Sequence, residues 1–231
     1  MACGSGIRWS HASSRSLRPV VVPPQRIPPW LKWSYAAFVA ALVPVYVRQY
    51  GWRNFLWFSD VALLVSVPAL WLEEPRLVSM QAVGITVPEA GWSADFAFQT
   101  LAGRRLIGLA DYMFDSKIPR PVRALSLFHL WLPPLLLWAT ARLGYDRRAL
   151  RDQTRLAWAL LLATYLLTEP AENVNWVFGP GGSPQHAIDR RIYLLLVMAL
   201  YPLAFHLPAH VMFDRLFPPP PANAVTMEGA R

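Results

Sequence analysis

Residues 54–72, NFLWFSDVALLVSVPALWL, decide the fold class. The run approaches the roughly 20 apolar residues that a helix needs to cross the hydrocarbon core of a bilayer. Its one ionisable group is Asp60, close to the Asn54 end. A carboxylate at that depth costs roughly 2.5–3.5 kcal/mol on insertion scales, so Asp60 is expected to face protein or a water-filled cavity.

The whole chain fits that reading. Of its 231 residues 55% are hydrophobic and only 16% charged, where a soluble domain carries about a quarter charged residues. The net charge of +8 resides mostly in segments that flank apolar runs, which argues for membrane topology and against a nucleic-acid face. Cys3 is the only cysteine, which excludes an internal disulfide and a cysteine-only metal site. No cofactor is expected, and the expected partner is the lipid bilayer, with protein partners left open.

Six apolar segments follow one another, at about 34–50, 54–72, 77–101, 122–143, 156–169 and 192–212. The expectation is therefore an all-α, polytopic membrane bundle of about six transmembrane helices over residues 34–215. Residues 1–33 read as a disordered basic tail ending in a Trp30/Trp33 interface anchor, and 216–231 as a disordered, proline-rich tail. The third segment carries Pro88, Glu89 and Asp95, and the fifth is short. With the amino terminus in the cytoplasm, 13 basic residues fall on that side and 9 on the other. Arginine in place of lysine suggests a GC-rich bacterial genome, hence a bacterial inner membrane.

Helical rise places three polar groups at one level, about 9–10 Å below one membrane face. They are Asp60, Asp95 and His129, expected as an acid/base cluster near the non-cytoplasmic face. Asp60 and His129 are expected to be partners, directly or through one water. Asn54, Ser59, Glu89 and Ser126 are the expected lining of the same cavity. The loop TEPAENVNWVFGPGGSPQ (168–185) lies on that face, so Asn173, Asn175 and Trp176 are expected to cap it. The bland alternatives are polar contacts between helices for the cluster and an ordinary helix end for the loop.

His206 and His210, in AFHLPAH, have the i, i+4 spacing that puts two imidazoles on one helix face. With Ser126 and His129 in SLFH they resemble the site of alkaline-ceramidase-like membrane hydrolases, and that resemblance implies zinc held by His129, His206 and His210. Depth opposes it, because His206 lies about 21 Å from the face that His129 is near. The alternative is two interfacial histidines at the opposite headgroups.

The segments YGWRNFLWFSDVALL, SLFHLWLPPLLLWATARLGYDRRAL and NVNWVFGPG together resemble a group of bacterial multi-span proteins labelled as membrane or membrane-associated proteins. The likeness runs from about residue 45 to 212. It implies the class and brings no activity or cofactor. Three functions stay open: a non-catalytic membrane component, a lipid-active intramembrane hydrolase or transferase, and a proton-linked small-solute carrier.

Overall fold

The computed structural model describes residues 27–220, and these form an all-α bundle with no strand among the described residues. The long elements are α1 (Pro29–Tyr50), α2 (Phe58–Leu72), α3 (Pro75–Ala102), a broken pair α4 (Arg120–Leu125) and α5 (Phe128–Leu143), and α6 (Ala149–Leu167). The last helical stretch is α7 (Arg190–Tyr201), a π-turn (Pro202–His206) and α8 (Leu207–Leu216). Short 3-10 turns at Trp52–Leu56, Asp111–Phe114 and Val174–Trp176 shape one end of the bundle.

Local chemistry explains the boundaries. Pro75 opens α3 at a position whose N–H has no helical partner, while the Glu74 carboxylate accepts from Arg76 N. Gly103, at φ 65°, closes the same helix in the left-handed conformation that glycine adopts without strain. Asp189 caps α7 by accepting from the backbone N–H groups of Arg191 and Ile192. Pro202, lacking an N–H, sits where α7 widens into the π-turn, and His206 at the end of that turn is fully buried.

Helix α3 is the centre of the bundle, packed by α2, α5, α6 and the π-turn. That position explains its polarity. Ser79, Gln81, Glu89 and Asp95 are all buried, so protein rather than lipid surrounds them. The chain's outer helices are the apolar ones: 29–50, 120–143 and 190–216 are long and apolar enough to cross a membrane, and the shorter α2 is apolar as well. Only 22% of the apolar window is buried in the first and last of these, so most of their surface faces outward. Leu195, Leu196, Leu200 and Leu203 are each more than half exposed, as lipid-facing leucines are.

Two boundaries differ from the sequence reading. Helix α1 begins at Pro29, so Trp30, Lys32 and Trp33 belong to its first turns rather than to a tail. Lys32 Nζ then lies 2.6 Å from Glu73 Oε1, and the Trp33 ring meets Trp71 edge-on at 4.7 Å. At the other end Phe217–Pro220 is docked rather than loose. Tyr145 N donates to Pro218 O at 2.7 Å, and a Cβ on Gly144 would lie 2.6 Å from Pro220. The tail expectations for residues 1–26 and 221–231 fall outside the described residues.

Candidate functional site

Asp60 lies in the first turn of α2, because the chain from Trp52 to Leu56 forms a separate 3-10 turn and the α-helix starts only at Phe58. The sequence reading placed it deeper in one continuous helix. At a helix start, unpaired backbone N–H groups favour a carboxylate. Asp60 is 4% exposed, with Oδ2 accepting from Asn54 Nδ2 at 3.3 Å. Its Oδ1 is buried without a hydrogen-bond partner, as is the hydroxyl of Tyr50. His129 and Glu89 lie within electrostatic reach of it.

The partner of His129 is Glu89 rather than Asp60. His129 Nδ1 and Glu89 Oε2 are 2.7 Å apart, with side chains only 12% and 8% exposed. The pair joins α3 to α5. Trp92, one turn after Glu89, stacks on the imidazole at 4.6 Å between centroids, and Phe128 stacks on it at 4.1 Å. These rings fix the plane of the imidazole, so Nδ1 is held on the carboxylate. Beside them, Tyr46 Oη and Ser126 Oγ share a hydrogen bond of 2.5 Å, and the Tyr112 ring lies near Trp92 at 6.4 Å between centroids. Helices α1, α2, α3 and α5 thus each contribute to one polar core.

Asp95 is not part of it. Its Oδ1 accepts from Leu106 N (3.1 Å) and Ile107 N (2.7 Å), and its Oδ2 from Gly108 N (3.0 Å) and Ala110 N (2.9 Å). Four backbone donors saturate the carboxylate, whose work is to fold the loop after α3 back onto the helix. Glu89 takes the place in the cluster that depth alone gave to Asp95. The error came from helical rise, which gives height along an axis but not the direction in which a side chain points.

The loop 168–185 is tied down by two asparagines. Asn173 Nδ2 donates to Gly179 O (2.9 Å) and Gly181 O (2.8 Å), while its Oδ1 accepts from Phe178 N. Asn175 Nδ2 donates to Leu56 O (2.6 Å) and Thr164 Oγ1 (3.2 Å), and its Oδ1 accepts from Phe58 N (3.1 Å). Asn173, Asn175 and Trp176 all have positive φ. Asn175 therefore staples this loop to the chain just before Asp60, and Arg53 pairs with Glu172 alongside. Their shown contacts are to backbone and to Thr164, so the two asparagines hold the loop shut rather than line a cavity. Ser59 is buried in the first turn of α2.

The three histidines do not converge. His129 pairs with Glu89, His210 Nδ1 lies 2.6 Å from Tyr145 Oη, and His206 Nδ1 lies 3.3 Å from Thr154 Oγ1. Nor is His206 interfacial, since it is fully buried. Among the described residues no group of three or more His, Cys, Asp and Glu side chains has a metal-binding arrangement.

Chemically, the core holds two acids and one base within electrostatic reach. Fully ionised it carries one net negative charge, and one proton on either carboxyl neutralises it. Tyr46, Tyr50 and Tyr112 went unnoticed in the sequence. The i, i+4 spacing of Tyr46 and Tyr50 was the available signal for the first two, whose rings meet at 5.3 Å. Compared with known protein families, with functionally described proteins and with solved structures, the chain finds no match.

Proposed function

We propose that the chain is a multi-pass protein of the bacterial inner membrane, with its amino terminus in the cytoplasm and six crossings. Three outer helices already have the length and apolarity. Of the remaining three, α2 is apolar but short, and the polar groups of α3 are shielded at the centre of the bundle.

Within that class the reading carried furthest is a non-catalytic membrane component whose polar core clasps helices together. The carrying observation is the Glu89–His129 pair at 2.7 Å, an imidazole committed to a carboxylate on the neighbouring helix. Lipid profiling of a deletion strain tests it. The expected result is an unchanged lipid profile, with His129→Gln lowering the amount of folded protein. A lipid species lost in the deletion, and restored by the wild type but not by a stably folded His129→Gln, would overturn it.

A second reading, a lipid-active hydrolase or transferase, draws on one further observation. Asp60 Oδ1 is buried without a protein partner in the core that holds Ser126 and His129. The same three ionisable groups, buried together, are what a proton-linked carrier needs at its centre.

A further inference from the structure

At the end of the bundle opposite the polar core, three arginines converge on one carboxylate. Arg76 Nε lies 2.8 Å from Asp152 Oδ2, Arg151 Nε 3.1 Å from Oδ1, and Arg155 Nη1 3.7 Å from Oδ1. Asp152 is buried, while the Arg151 and Arg155 side chains are 56% and 68% exposed. Those two carry ten N–H donors between them, whereas a carboxylate offers about four lone-pair sites, which Asp152 also shares with Arg76. Cationic donors therefore remain turned outward.

Arg155 lines a depression of about 410 Å³ together with Glu74, Arg76, Leu77, Met80 and Asp152, and Arg151 stands beside it on the same Asp152 carboxylate. Its apolar part is Leu77 and Met80, and Glu74 is engaged as the cap of α3. The groove lies at a tryptophan level. Trp71, in the last turn of α2 just before it, packs on the exposed Trp33, and Arg142 stacks over Trp138 at 4.8 Å. Tryptophans of this kind sit at the boundary between headgroup and acyl chain.

We propose that this groove binds the headgroup of an anionic phospholipid, its phosphate on Arg151 and Arg155 and the start of an acyl chain along Leu77 and Met80. A basic pocket between helices at the cytoplasmic interface is the arrangement that recognises such lipids. A neutral zwitterionic lipid brings a cation of its own to the arginines and is held less well. The proposal rests on the membrane reading above.

The test uses the full chain in nanodiscs. With phosphatidylglycerol in place of phosphatidylcholine the melting temperature should rise by about 3 °C or more. Native mass spectrometry should show retained phosphatidylglycerol, weakened about 25-fold in Arg151→Gln/Arg155→Gln at roughly fivefold per arginine. Arg76 still pairs Asp152 in that variant, which keeps it folded. Arg190→Gln/Arg191→Gln, at the other end, should leave lipid retention unchanged.

Equal melting in the two lipids would overturn the proposal, as would retention of phosphatidylglycerol by the 151/155 variant. So would equal stabilisation of phosphatidylcholine discs by soluble glycerol phosphate, which would make the site one for free anions. Release of the protein from membranes by alkaline carbonate is a separate result that would overturn the membrane reading itself.

Discussion

His129 Nδ1 and Glu89 Oε2, 40 residues apart in sequence, meet at 2.7 Å between α5 and α3. Removing one partner of a buried pair leaves the other uncompensated and costs about 3–5 kcal/mol. Glu89→Gln and His129→Gln should each destabilise the protein by that order in thermal unfolding. Because the residues share one contact, the double variant should cost less than the sum of the two. Strict additivity would mean that they do not interact.

Asp95 holds the loop after α3 through four backbone N–H groups. Asn offers one carbonyl oxygen with two lone pairs, so Asp95→Asn leaves about two of those donors unpaired and loses the charge that strengthens the rest. The loss should amount to about 2–4 kcal/mol in local stability. Trypsin cleavage at Arg104 and Arg105, inside the released loop, should accelerate at least about tenfold, which is the opening equilibrium shifted by 1.4 kcal/mol or more. An unchanged cleavage rate would remove the latch from the account.

Asn175 makes three side-chain hydrogen bonds from a left-handed backbone at φ 51°. Asn175→Gly loses the bonds but keeps the backbone conformation accessible. Asn175→Ala loses both, and the left-handed conformation costs a residue with a Cβ about 1–2 kcal/mol. Both variants should melt below the wild type, with alanine the lower. The reverse order in differential scanning would show that the loop relaxes out of this conformation.

Acid sensitivity has a specific source in the loop between α5 and α6. Burial would raise the Asp146 carboxyl, but hydrogen bonds from the Arg148 side chain and backbone, with its charge and that of Arg76, hold it below the usual range. A lowered folded-state value means stability that is fully present above the unfolded value, about 3.9, and is lost as pH falls through the lower folded value. Asp146→Asn should therefore melt below the wild type at pH 6, and the two melting curves should converge as the pH drops below about 3.9. A constant gap across that range would assign the effect to packing.

Sequence and structure divide the account unevenly. Apolar runs of membrane length, broken by charged turns, imposed helices, because a backbone in hydrocarbon satisfies its N–H and C=O groups only within itself. That much was legible in NFLWFSDVALLVSVPALWL and its counterparts. Burial of Asp60 was legible too, since a lone carboxylate in an apolar run has to find protein. The centrality of α3 was not. Its polar residues weaken its signal as a membrane segment, yet they are there because other helices surround it. The identity of the polar partners was likewise decided only in three dimensions. Helical rise set Asp60, Asp95 and His129 at one height, but rotation about each axis sent Asp95 to a loop and brought Glu89 to His129. Height follows from counting residues, whereas the facing of a side chain follows from how helices pack, and packing is a property of the whole bundle.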